Sequence, residues 1–164
     1  MDQVPWDDAV EVIATLAFLI QLGILAFSDA MTFRLPLKIN LAFCASGLVL
    51  GGHAFGTPLQ ERIFGALAAF IALSLIANLY LLFRKRHGLG GGDPILLAGI
   101  GAWLGWHSLP LTVFLAALVG LVFAVIKYVF GSGPGGWSAV RLPLGTLLAI
   151  SSIFLLGAGY CIEV

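Results

Sequence analysis

The sequence predicts an all-α membrane protein, a polytopic bundle of six transmembrane helices with both termini outside the cytoplasm. Three observations carry that prediction. The 164 residues are 60% hydrophobic and only 10% charged, with a mean hydropathy of +1.08, whereas a soluble domain carries roughly 25% charge. Apolar runs recur along the whole chain, most of them near the ~20 residues that a helix needs to cross a bilayer. The basic residues collect in alternate loops. Spans and short turns use nearly all the length, so residues 1–164 are expected to form a single membrane-embedded domain.

The first span covers about residues 9–28. Its lead-in is acidic (Asp2, Asp7, Asp8, Glu11) where a cleavable signal peptide is basic, so it reads as a retained helix. The second covers about 37–55 and the third 63–83. The fourth, about 94–109, is short, with Trp103 and Trp106 near its far end as an interfacial belt. A tight turn around His107, Ser108, Leu109 and Pro110 leads to the fifth, about 110–130, and the sixth covers 142–161. Gly65 and Ala69, and likewise Gly101 and Gly105, have the spacing at which helices pack closely.

Charge sets the orientation. Arg34 and Lys38 follow the first span, Arg84, Lys85 and Arg86 follow the third, and Lys127 and Arg141 flank the loop after the fifth; Arg62 alone falls on the other side. The basic side is cytoplasmic by the positive-inside rule, and six spans return both termini to the outside.

Several function classes drop out. A formal net charge of zero leaves no basic patch able to track phosphates, so no nucleic-acid partner is expected; membrane lipid is. Cys44 and Cys161 lie far apart in apolar runs without a C-x-x-C pair, which supports neither a zinc site nor a disulfide framework. No metal and no cofactor is expected. Gly88-Leu89-Gly90-Gly91-Gly92-Asp93 has no following Lys-Ser/Thr and is not a phosphate-binding loop. The second glycine-rich stretch, Gly131 to Gly136, reads as a flexible connection.

Asp29 and Asp93 stand apart from the other acids. Asp2, Asp7, Asp8, Glu11, Glu61 and Glu163 fall in the termini or in a loop on the outer side, whereas these two fall at the cytoplasmic ends of spans one and four. Carboxylates at membrane depth mark functional sites. The glycine run delivers Asp93 to a helix start, and glycines permit both φ > 0 and close backbone approach. A purely structural role competes: Asp29 pairs with Arg34 or Lys38, and Asp93 caps span four with Pro94 at the first helical position. A pair on one side also suits peptide hydrolysis, one carboxylate taking a proton from water and a carboxyl donating one to the carbonyl oxygen. Like charges held close cannot both ionise, which provides the two forms; the sequence leaves open which residue holds the proton. Among other polar residues, Gln21 and Asn78 are expected to bond between helices. His53 and His107 are expected at the outer interface, and His87 is a candidate for tuning Asp93.

Gly90-Gly91-Gly92-Asp93 followed by Pro94 to Gly105 (Pro-Ile-Leu-Leu-Ala-Gly-Ile-Gly-Ala-Trp-Leu-Gly) resembles the second active-site motif of the type IV prepilin peptidases, membrane aspartic proteases of the Gly-x-Gly-Asp class. Asp29 with Pro36 seven residues later resembles the first motif, and Arg141-Leu-Pro143-Leu-Gly145 resembles the lead-in to that family's last span. The three regions occur in the family's order over nearly the whole chain. The resemblance implies an aspartic endopeptidase of a bacterial cytoplasmic (inner) membrane, active on the cytoplasmic side. It would cleave the basic leader of prepilins or pseudopilins after a glycine. Asp29 and Asp93 would be catalytic, with Pro36, Gly90, Gly91, Gly92, Pro143 and Gly145 in support. Two positions depart from the family: Leu37 replaces the usual Asn or Asp, with Asn40 the nearest amide, and Ile95 replaces a basic residue. The N-terminal domain with two C-x-x-C pairs, linked in larger members to N-methylation, has no counterpart here, so the short, peptidase-only form is expected.

Two other readings compete. The departures at Leu37 and Ile95 suit a catalytically degenerate assembly factor that binds prepilins without cutting them. Membrane carboxylates also suit a small ion- or proton-conducting bundle, although such a carboxylate is expected near the midplane and these two lie at an edge.

Overall fold

The computed structural model describes residues 5–85, 90–130 and 143–158. Arg86, His87, the Gly131–Gly136 stretch, Arg141 and Cys161 lie outside them. The helices are α1 (Pro5–Thr32), α2 (Leu37–Phe55), α3 (Leu59–Arg84), α4 (Asp93–Leu104), α5 (Leu109–Phe130) and α6 (Leu144–Gly157), with no strand among the described residues. By length and composition α1, α2, α3 and α5 are able to cross a membrane.

The other two helices are shorter than the sequence led one to expect. At 12 residues α4 rises roughly 18 Å, well short of a ~30 Å hydrocarbon core. It stops at Leu104 because Gly105 takes φ 77°, in the left-handed region, with its N–H on Gly101 O at 3.0 Å. Ser108 Oγ then donates to Gly105 O at 2.9 Å, and α5 starts at Leu109. The tight turn therefore occupies 105–108, and the span expected at 94–109 is a short helix plus this turn. α6 has 14 described residues, and the ends of the range expected for it lie outside the described residues.

A helix that is apolar all round has to be covered all round. Every residue of α4 except Ile95 is buried, and α2 and α3 are its principal neighbours. The small residues make this possible. A Cβ on Gly101 would stand 2.7 Å from the backbone C and O of Gly65, and one on Gly65 would stand 3.0 Å from Gly105 C. The Gly65/Ala69 and Gly101/Gly105 rows are thus the α3–α4 interface.

Two assignments change. Trp103 is not an interfacial residue: it is fully buried, donates from Nε1 to Phe43 O at 2.9 Å and packs against Phe18, Phe43 and Phe55. Trp106, past the early end of α4, is exposed and stacks on His107, whose Nε2 lies 4.0 Å from Glu61 Oε2. Of the two expected interhelical amides, Gln21 on α1 accepts from Ser46 Oγ on α2 at 3.1 Å, whereas Asn78 is exposed. Arg62, the odd basic residue, is buried, its guanidinium donating to Gly47 O and Leu48 O of α2.

Around the α2–α3–α4 core, α1 packs on α2 and α6, and α5 packs on α6. This arrangement brings the end of α1 and the starts of α4 and α6 to one end of the molecule.

Candidate functional site

The site begins with the corner between α1 and α2. Asp29 lies one turn before the end of α1 and is buried, 5% exposed. The chain reverses at Phe33, whose φ of 52° is unusual for a bulky residue and costs on the order of 1 kcal/mol. Local hydrogen bonds hold it there. Phe33 N–H donates to Asp29 O at 2.8 Å, Ser28 Oγ to Arg34 O at 3.0 Å, and Thr32 Oγ1 to Ser28 O at 2.8 Å. Pro36 then occupies the N-cap position of α2 at φ −65°, the value its ring prefers.

This corner carries the glycine run. A Cβ on Gly92 would fall 2.7 Å from Leu35 Cβ, and Asn40, fully buried one turn into α2, donates from Nδ2 to Gly92 O at 2.8 Å. Gly90 and Asp93 are tied reciprocally. Asp93 N–H donates to Gly90 O at 3.2 Å, and Gly90 N–H donates to Asp93 Oδ2 at 2.9 Å. None of these three glycines has a positive φ; Gly92 sits at −87°. They are needed unequally and for space. Gly92 faces Leu35, a Cβ on Gly90 would lie 3.2 Å from Asp93 Oδ2, and one on Gly91 would meet nothing.

Asp29 is gripped from α6. Pro143 is the N-cap of that helix, and its carbonyl accepts from Leu147 N–H at 3.2 Å. Thr146, whose amide has no partner within its own helix in this first turn, donates N–H to Asp29 Oδ2 at 2.8 Å. Its hydroxyl lies 3.2 Å from the same oxygen and 3.0 Å from Ala26 O. A Cβ on Gly145 would stand 3.0 Å from Asp29 Oδ2 and 3.2 Å from Leu96 Cδ2. One point beside Gly145 thus touches both the Asp29 carboxylate and a side chain three residues beyond Asp93.

Asp93 is buried, 6% exposed, at the first position of α4, ahead of its apolar run and outside the candidate spans. Burial pushes its carboxyl up to about 6; the Gly90 N–H acts against that shift, and the negative charge of Asp29 adds to it. Neither structural alternative is realised. Among the described residues no ion pair joins Asp29 to Arg34 or Lys38, and Gly92, not Asp93, holds the N-cap position.

The atoms still open to chemistry can be named. A backbone N–H only donates, so each Oδ2 is an acceptor, that of Asp29 from Thr146 and that of Asp93 from Gly90. The remaining oxygen of each carboxyl, Oδ1, has no hydrogen-bond partner among the described residues. Sequence reasoning singled out Asp29, Asp93, Pro36, Gly90, Gly91, Gly92, Pro143 and Gly145, and the structure places all eight at this end of the molecule. Sequence reasoning missed Thr146 and the role of Asn40. A threonine in the first turn of a helix is a weak signal of bonding near a terminus, and nothing in its position names a partner 117 residues away.

The fold and site define a helical membrane protein with two buried aspartates at one end of a helical bundle. The chain matches the type IV leader peptidase family over residues 16–125. It belongs to that family. Among curated relatives, the prepilin leader peptidase/N-methyltransferase of Neisseria gonorrhoeae is 38% identical over 130 residues, 74% of this chain and 44% of that protein. The protein of the same name from Dickeya chrysanthemi is 38% identical over 150 residues, 84% and 52% respectively. That of Pseudomonas aeruginosa is 35% identical over 131 residues, 79% and 44%. The chain spans about half the length of these relatives. No solved structure matches it.

Proposed function

We propose that this chain is an aspartic endopeptidase that removes the short basic leader from type IV prepilins or pseudopilins, cutting after a glycine at the cytoplasmic face of a bacterial inner membrane. The observation that carries this reading is the convergence of Asp29 and Asp93 at one end of the bundle, each with Oδ2 occupied by a backbone N–H. Family membership and the names of the relatives support the substrate class. The basic residues at this end, Arg34, Lys38 and Lys85 among them, support a cytoplasmic orientation. The substrate's apolar helix would lie in the bilayer beside the spans and present its leader junction to the pair.

In the proposed reaction Asp93 holds the proton and Asp29 is the carboxylate. Water gives a proton to Asp29 Oδ1 and adds to the scissile carbonyl carbon, while Asp93 Oδ1 protonates the carbonyl oxygen. In the second half Asp29 returns its proton to the leaving nitrogen, and Asp93 takes one from the tetrahedral intermediate. The C–N bond breaks and the pair is restored. Co-expression with a prepilin tests this: a mobility shift matching leader loss is expected. A precursor that binds the protein and stays uncut would favour the non-catalytic reading instead.

Two outcomes follow for the purified protein. Cleavage requires protonated Asp93, and a raised pKa keeps that proton on to higher pH. The alkaline limb of the pH–rate profile is therefore expected near pH 6 rather than near 4, where a lone aspartate would place it. The limbs belong to the pair as a whole. Gly92→Ala pushes a methyl against Leu35 and shifts Asp93, lowering cleavage by roughly tenfold or more, while Gly91→Ala, with open space, leaves it close to wild type. Initial rates on a prepilin-type peptide check both.

A further inference from the structure

Asp29 changes charge within the proposed cycle, and the group facing it can follow. Thr146 Oγ1 has a single proton and two acceptors in reach, Asp29 Oδ2 at 3.2 Å and Ala26 O at 3.0 Å. The Thr146 amide also donates to Asp29 Oδ2, at 2.8 Å. The contact is built rather than incidental: Gly145 lets α6 approach so closely that a Cβ there would press on the carboxylate, at 3.0 Å from Oδ2 and 3.1 Å from Cγ.

We infer that Thr146 is a positioning residue for the reaction, whose hydroxyl donates to Asp29 Oδ2 while Asp29 is a carboxylate and turns to Ala26 O when Asp29 takes the proton from water. Only the hydroxyl hydrogen moves, by rotation about the Cβ–Oγ1 bond. No bond is broken, and the hydroxyl proton keeps an acceptor in either state. This matters at a buried site, where an orphaned donor costs about as much as a lost hydrogen bond. The inference rests on the aspartate-pair reading.

The charged groups around Asp29 are few. Asp93 faces it from α4. Arg34 on the corner and Lys38 on α2 are exposed and form no ion pair with it, and α6 carries no titratable residue between Leu144 and Gly157. Thr146 is thus the described partner that distinguishes the two charge states of Asp29 by hydrogen bonding.

The test is the pH–rate profile of the full chain in detergent or liposomes with a prepilin-type peptide. Thr146→Val keeps shape and amide but loses the hydroxyl. It is expected to move the acid limb up by about one pH unit, lowering the rate about tenfold on that limb, while the alkaline limb set by Asp93 stays in place. Thr146→Ser is expected to restore the wild-type limb. Thr146→Pro, tolerated in the first turn of a helix, removes the amide as well and is expected to move the limb further. An unchanged limb in Thr146→Val, or a uniform loss at every pH that serine does not rescue, overturns the inference. If Thr146→Val does not insert, an acid limb in Thr146→Pro identical to wild type does so equally. Asp29→Asn separates this from the underlying reading. An inactive Asp29→Asn beside an unshifted Thr146→Val leaves the pair standing without the switch, whereas an active Asp29→Asn removes both.

Discussion

Asparagine in place of Asp93 is expected to lower cleavage of a prepilin-type substrate by about a thousandfold, a typical contribution of a positioned acid or base. The substitution isolates the chemistry. An amide oxygen can still accept the Gly90 N–H that Asp93 Oδ2 accepts at 2.9 Å, and the Asp93 backbone N–H still reaches Gly90 O. The turn that starts α4 should therefore survive. The lost quantity is an ionisable proton at a buried position, and among the described residues no other is placed to supply it: Asp29 takes the opposite role in the proposed reaction, and Asn40 is engaged with Gly92 O. Loss of rate with normal insertion and an unchanged melting temperature is the expected pattern.

The largest expected effect on stability lies elsewhere, at the α3–α4 contact. Gly101→Val places a branched side chain where even a Cβ would stand 2.7 Å from Gly65 C and O and 3.1 Å from Ala66 N. These are backbone atoms in the middle of a helix and cannot rotate aside, so α3 and α4 must separate. Overpacking of this kind costs about 3 kcal/mol, a large part of the 5–15 kcal/mol that holds a typical domain together. In a thermal melt in detergent that corresponds to a fall of about 10 °C. Gly23→Ala is the matched control. Its Cβ would meet nothing within 4 Å, and alanine is the better helix former, so it is expected to be neutral or slightly stabilising. Equal melting of the two variants would mean that α3 and α4 are not packed through these glycines.

The contrast between these positions shows what a sequence can convey. The boundary expected for the second span, 37–55, coincides with α2 because Pro36 before it and the Gly56 turn after it are local signals. Asp29 and Asp93 were legible because a carboxylate beside a long apolar run has few explanations. Trp103 was misplaced for an equally physical reason. A tryptophan near the end of an apolar run reads as an interfacial anchor only if the run crosses the membrane, and α4 ends after 12 residues. The glycines before Asp93 were legible as glycines but not for their reason. Gly92 serves the approach of Leu35, which depends on how the α1–α2 corner folds back, and Gly90 leaves room for the Asp93 carboxylate. Thr146 was out of reach because its first contribution is a backbone N–H, which every residue but proline possesses and which acquires meaning only when a helix start is aimed at a carboxylate.

The central claim is that Asp29 and Asp93 act as one unit, and a double-substitution cycle measures that most directly. Cleavage of a prepilin-type peptide would be compared among wild type, Asp29→Asn, Asp93→Asn and the double variant, each verified as inserted and folded. Residues that share one reaction are strongly non-additive. Each single variant is expected to lose nearly all activity, and the double variant to be no slower than either. Wild-type cleavage by either inserted single variant, or a double variant slowed by the product of the two single effects, would contradict a shared role for the two carboxylates.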